Sequence, residues 1–245
     1  MKPILVTCYV SPDLDGVSGS VAYAEFLQKT GKVAVAGIFG EPHEEAKYLL
    51  SRFGIPYPQE FSDAYGFDEV ILVDSSSLKG LEGKVVPEKV IEIIDHRKIN
   101  DADIFPNAKV QIELVGAAAT LVAERFIKYG IDISDSSATL LCGGILSNTL
   151  NFKAGVTTDR DRRAFGWLNH KANLTENFWK ELFLAKSDFS GNKLFEGITG
   201  DFTWFEIGNQ KVGISQIEMI GAKELIGARE IEILHILNMI KKEKG

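Results

Sequence analysis

Four aspartates and a histidine stand where this chain leaves its apolar runs. Asp13 and Asp15 lie in SPDLDG (11–16), Asp74 closes EVILVD (69–74), and Asp95, His96 and Arg97 follow one another in IIDHRK (93–98). Crowded carboxylates repel one another unless a cation lies between them, and hard oxygen ligands with one imidazole suit Mn2+ or Mg2+ better than a closed zinc site. The chemistry this pattern suggests is that of a divalent-metal centre. Each aspartate alone has a simpler role open to it, because Asp after a strand often caps the next helix, and Asp13 or Asp15 could cap one beginning near Gly16.

The elements that must position these residues read as alternating short strands and helices. Segments 3–9, 33–39, 69–74, 90–95 and 109–114 are Val/Ile/Leu-rich and read as strands, with helices at 17–27 and 41–53 between the early ones. Such runs predict an α/β fold with a mostly parallel sheet covered by helices on both faces. Asp13, Asp15, Asp74, Asp95 and His96 then share its carboxyl edge, where open α/β folds build their sites. From Gly116 the pattern turns helical, at 117–129, 136–148, 160–171 and 175–186. DFSGNK (188–193) interrupts the periodicity, a β-hairpin follows at 202–219 and a helix at 222–242. The expected division is a first domain at 1–187 and a small α+β domain at 188–245.

Composition excludes some functions. Against 34 Asp and Glu stand 27 Lys and Arg, a net charge of -7, and no basic run exceeds the Lys241, Lys242, Lys244 cluster. Duplex nucleic acid and anionic membrane are therefore not expected as main partners. The two cysteines, Cys8 and Cys142, sit among apolar residues and read as buried, reduced thiols. Neither a signal peptide nor an apolar run near the ~20 residues of a bilayer span is legible, so a cytoplasmic protein is expected.

SPDLDG, ILVDSS, IIDHR, VGAAATLVAERF (115–126) and GGILSNTLNFKAGVTTDRD (143–161) follow, in order, the motif series of another group. The chain resembles DHH-family phosphoesterases, in the branch with a DHHA2 C-terminal domain that includes manganese-dependent inorganic pyrophosphatases, exopolyphosphatases and prune proteins. That resemblance implies one or two metal ions, Mn2+ or else Mg2+ or Co2+. It implies that Asp13 and Asp15 each hold one ion, that Asp74 bridges them, that His96 binds the second, and that Asp95 supports. Asn148 stands where the family has a fourth metal-binding Asp, and Tyr9 where pyrophosphatases have a metal-binding His. Arg97 replaces a phosphate-contacting His, as in prune proteins. The hairpin and final helix resemble the start of a DHHA2 domain, shortened before its basic SRKK-type segment. Gly191 falls where those enzymes offer a substrate lysine, and Lys186, Lys193 and Arg229 are possible substitutes. A homodimer is also in keeping with the family.

The expected function is a metal-dependent phosphohydrolase that cleaves pyrophosphate or a short polyphosphate with metal-activated water, Asp74, His96 and Arg97 being catalytic. An open site is expected to accept substrates longer than pyrophosphate. The alternatives are a phosphodiesterase on small (di)nucleotides, a silent relative that binds a phosphorylated ligand or protein, and a purely structural dimer. For Arg97 the alternative is a salt bridge to Asp95 or Asp101. The charged run DRDRR (159–163) reads as a solvated helix face, Gly16, Gly19 and Ser20 sit at a helix start that could present backbone N–H groups to phosphate without being a P-loop or dinucleotide fingerprint, and His43, His170 and His235 carry no assigned role.

Overall fold

A computed structural model describes residues 2–200 and 202–244 of the chain. It divides into two compact units, Met1–Leu182 and Phe183–Gly245.

The first unit is built on a six-stranded sheet: β1 (Ile4–Thr7), β2 (Ala34–Ile38), β3 (Gln59–Glu60), β4 (Val70–Val73), β5 (Val90–Asp95) and β6 (Lys109–Ile112). The spatial order is β3-β2-β1-β4-β5-β6 and every pairing is parallel. The chain moves outward from β1 in one direction and resumes at β4 on the other side of it. The carboxyl ends of β1 and β4 thus flank a topological switch point, the usual crevice of such sheets. All four residues of β1 and of β4 are buried, as both-face coverage demands of a parallel sheet.

Alternation along the strands separates two cores. Val6, Ile71, Val73 and Ile94 face a helical layer made by α1 (Leu14–Lys29), α3 (Ala118–Tyr129) and α4 (Asp135–Asn148). Leu5, Leu72 and Ile93 face Leu81, Val85, Ala102 and Phe105, which come from strand connections containing two short 3-10 turns. A third cluster joins α1 and α4 to α2 (Glu44–Arg52) through Leu14, Leu49, Leu50 and Leu146. α5 (Asp159–Ala172) adds Ala164 and Leu168 to the main core.

The helical layer packs closely because of Gly144. A Cβ there would lie 2.6 Å from Ser18 Oγ and 3.2 Å from Ala119 Cβ, so only glycine lets α4 approach α1 and α3 so nearly.

α6 (Phe178–Lys186) runs across the boundary between the units. Within the second unit, α7 (Lys193–Gly200) precedes an antiparallel hairpin of β7 (Phe202–Ile207) and β8 (Gln210–Ser215), and α8 (Ala222–Lys244) follows, with non-helical backbone at Arg229. The core is small: Leu194, Ile198, Ile236 and Ile240, with Phe189, Phe202 and Ile217 against it. The reading of the sequence did not place α7 or the two-residue β3. Among the described residues no helix is long and apolar enough to cross a membrane.

Candidate metal centre

β1 and β4 end at the switch point and β5 ends beside it, so the segments after them converge. Asp15 lies in the first turn of α1 and is fully buried. Its Oδ2 accepts from Ala118 N–H and its Oδ1 from Ala119 N–H, both at 2.8 Å. Those N–H groups open α3, whose N-cap residue Ala117 offers no capping side chain. The carboxylate therefore satisfies that helix terminus and meets its dipole. Asn148, the last residue of α4, donates from Nδ2 to Asp15 Oδ2 at 2.9 Å.

Asp74 follows β4 with φ of +58°, a left-handed conformation that costs a non-glycine residue about 1 kcal/mol or more. Its backbone holds that turn from both sides: its N–H donates to Ile94 C=O at 2.8 Å, and its C=O accepts from Arg97 Nη1 at 2.5 Å. The turn aims the side chain inward. Both carboxylate oxygens are buried and neither accepts a hydrogen bond, although His96 and Arg97 stand at ion-pair distance.

His96 leaves β5 through a turn held by Asp95. The Asp95 Oδ1 accepts from His96 N–H at 2.7 Å, and Ser76 Oγ donates to its Oδ2. His96 Nδ1 bonds Val115 C=O at 3.0 Å, which fixes the ring and turns Nε2 toward the acids. Nε2 lies 3.4 Å from Asp74 Oδ1, 3.7 Å from Asp15 Oδ2 and 3.3 Å from Asn148 Nδ2. Ligand atoms of Asp15, Asp74 and His96 all lie within 4.8 Å of one another.

The electrostatics of the cluster call for a cation. Burial, then the Asp74 charge, hold the Asp15 carboxyl well above the ordinary carboxylate range. Burial also pushes Asp74 up, to about 6, against the downward pull of His96 and Arg97. Burial lowers His96, but its contact with Asp74 and the Asp15 charge outweigh that and raise it to about 9. A divalent ion would replace the imidazole proton and relieve the repulsion between the carboxylates. Two carboxylates, an imidazole and an amide, with two orphaned buried oxygens, fit Mn2+ or Mg2+.

The remaining expected residues are engaged in other contacts. Asp13 is the N-cap of α1, its Oδ1 accepting from Asp15 and Gly16 N–H at 2.9 and 3.1 Å, which is the capping role open to it from the outset. Asp95 divides its carboxylate between its own loop and Ser76 after β4. Arg97 does form the bridge to Asp95, at 3.6 Å, with a closer one to Asp74 at 3.3 Å, and its guanidinium lies over the Tyr9 ring. Lys186, Lys193 and Arg229 belong to α6 and the second unit, ion-paired there with Glu218, Asp188 and Glu232. Gly191 has φ of +56° and its C=O accepts from Arg229, so this turn uses glycine for its conformation.

One expectation is corrected. Asp161 belongs to no solvated face: it is fully buried, and takes hydrogen bonds from Gly116 N–H (2.9 Å to Oδ2), Thr120 Oγ1 (2.6 Å), and Thr158 N–H and Oγ1 (2.7 Å each). Its neighbour Arg160 is paired with Glu113 and Glu124. The charged run hid a capping box, and the spacing of Thr158 and Asp161 was the signal that could have revealed it. Through Gly116, Asp161 anchors the segment whose Ala118 and Ala119 N–H groups orient Asp15. Those backbone donors leave no side-chain signature.

Comparison with known proteins agrees with this geometry. The model of the DHH family, N-terminal domain, matches residues 3–145. A manganese-dependent inorganic pyrophosphatase of Methanothrix thermoacetophila is 32% identical over 243 residues, 98% of this chain and 78% of the relative. The crystal structure of a Methanococcus jannaschii protein assigned to the family II inorganic pyrophosphatases superposes with a TM-score of 0.77 at 29% identity, covering 99% of this chain and 80% of that one. An exopolyphosphatase-related protein from Bacteroides fragilis shares the fold, with a TM-score of 0.63 at 17% identity over 83% of this chain and 62% of its own. The match of the family model to more than half of the chain, and the Methanothrix relative along almost all of it, place the result beyond a shared fold: this chain belongs to the DHH family.

Proposed function

We propose that this chain is a manganese-dependent phosphohydrolase that cleaves a phosphoanhydride, inorganic pyrophosphate first and short polyphosphate by the same chemistry. The observation that carries the reading is the convergence of Asp15, Asp74 and His96 at the switch point, buried and within 4.8 Å. The names of the Methanothrix and Methanococcus proteins support pyrophosphate as substrate.

Asp15, Asp74 and His96 would hold Mn2+, with Asn148 contributing Oδ1 once its amide turns over. A bound ion supplies a more acidic water and charge compensation on the phosphoryl oxygens. The chain's own residues do the rest. The Val115 carbonyl keeps His96 Nδ1 protonated and Nε2 free to ligate. Arg97, with 42% of its side chain exposed, keeps N–H groups open toward solvent and offers a permanent charge to an incoming phosphate. Lys186, Lys193 and Arg229 are assigned no step, because each would first have to release its acid partner. The second unit is proposed to be a DHHA2-like domain, and a cytoplasmic homodimer is the proposed setting.

The test is product release with Mn2+, Mg2+ or Co2+: phosphate from pyrophosphate and tripolyphosphate, mononucleotide from a linear dinucleotide. Turnover of pyrophosphate with Mn2+ that falls at least about 100-fold in Asp74→Asn supports the proposal. Equal rates in wild type and variant would refute it.

A further inference from the structure

We infer that the Arg97 guanidinium is a built-in cation of this centre, and that the chain binds one divalent ion where two carboxylate-bridged ions would otherwise sit. This rests on the metal-binding reading above and goes further, to the stoichiometry of the site.

Two sets of groups meet at Asp74. Asp15, His96 and Asn148 present atoms at 2.9 to 3.7 Å from one another with no Lys or Arg side chain among them. Arg97, packed on Tyr9, approaches the same Asp74 oxygen as His96 does. Its Nη2 lies 3.3 Å from Asp74 Oδ1 and its Nη1 3.6 Å from Asp95 Oδ2, while Nη1 also donates to the Asp74 carbonyl. The guanidinium carbon sits 5.4 Å from the centre of the Tyr9 ring, which covers the guanidinium with an aromatic face.

Arg97 limits what a second ion could use on its flank to Tyr9 and one Asp13 oxygen. The Tyr9 hydroxyl oxygen accepts from Asp13 N–H at 3.2 Å, and a phenol is ordinarily neutral near pH 7. Asp13 Oδ1 is committed to the N-terminus of α1, so Asp13 has only Oδ2 to offer, and with Arg97 in place that oxygen and Asp74 face a guanidinium. A neutral phenol is a poor ligand for a hard dication, and the flanking guanidinium would repel one.

Arg97 already brings a positive charge against Asp74 and Asp95, so a further cation on that flank meets carboxylates whose charge is in part compensated and a guanidinium that repels it. Arginine suits this place because it stays charged at every accessible pH and its planar fork reaches the Asp74 carboxylate, the Asp74 carbonyl and Asp95 together.

The experiment is Mn2+ titration of the purified full chain, with bound metal counted after equilibrium dialysis and the electron paramagnetic resonance spectrum recorded. Wild type is expected to hold about one Mn2+ per chain with the spectrum of an isolated ion. Arg97→Met should gain a second ion and the broadened spectrum of a coupled pair, whereas Arg97→Lys, which keeps the charge, should stay at one. Two ions in wild type would overturn the inference, and so would a folded Arg97→Met that still takes one. Should Arg97→Met not fold, the wild-type stoichiometry decides. Failure of wild type to bind Mn2+ better than Asp74→Asn is a separate result: it would refute the metal centre itself.

Discussion

Asp161→Asn probes how a residue remote from the reacting atoms supports the metal centre. The carboxylate takes hydrogen bonds from Gly116 N–H, Thr120 Oγ1 and both polar groups of Thr158, all at 2.6 to 3.0 Å and out of water. An asparagine keeps the shape but turns one oxygen into a donor, which faces the Thr158 or the Gly116 N–H whichever way the amide is set. Two bonds to a charged acceptor are lost, at about 1.5–3 kcal/mol each, and the relief of no longer burying a charge returns part of that. The net loss should be about 3 kcal/mol, a large share of a typical domain's stability. Urea unfolding without metal should show the midpoint falling by about 1 M at unchanged slope. Because Gly116 leads into the Ala118 and Ala119 N–H groups that hold Asp15, Mn2+ affinity should fall as well, by about 10- to 100-fold. Thr120→Val, which removes one donor, should cost about 1 kcal/mol. A midpoint within about 0.2 M of wild type, together with unchanged Mn2+ affinity, would show that the carboxylate anchors nothing.

Other predictions test neighbouring parts of the structure. In Gly116→Ala the new Cβ would lie 2.5 Å from Thr149 Cγ2 and 2.9 Å from Asp161 Oδ2, so a loss of about 1–3 kcal/mol in urea unfolding is expected, and a neutral result would mean that the segment shifts freely. Glu25 accepts from Ser134 N–H (2.8 Å) and Oγ (2.6 Å) and pairs with Lys29 (2.8 Å). Burial pushes its carboxyl up, but these partners win and hold it below the ordinary 4.5, so its contribution to stability is present above that pH and is lost as pH falls through the lower folded value. Glu25→Gln should therefore cost about 1–2 kcal/mol at neutral pH and converge on wild type as pH falls through that lower folded value; a gap that persists in stronger acid would contradict the assignment.

The legible part of the fold was the alternation of apolar runs and helical patterns. Buried parallel strands need continuous Val/Ile/Leu stretches, and EVILVD and VIEIID announce their ends with an acid. That local signal located Asp74 and His96. It said nothing of strand order, which depends on how far the chain travels between strands and which edge it returns to. It also missed β3, whose two exposed residues, Gln59 and Glu60, carry no strand signature.

The chemistry divided along the same line. Residue types by themselves determined that Asp15, Asp74 and His96 suit a hard divalent ion, because ligand preference is a property of the side chain. Tertiary structure alone decided which acids meet. Asp13 caps a helix, Asp95 braces its own loop, Asp161 is drawn from an apparent surface run into the interior, and Arg97 is pressed between Asp74, Asp95 and Tyr9. Carboxylates are alike in sequence, and what separates them is the set of N–H groups and charges that the fold brings within 3 to 4 Å, a distance over which no local pattern has any hold.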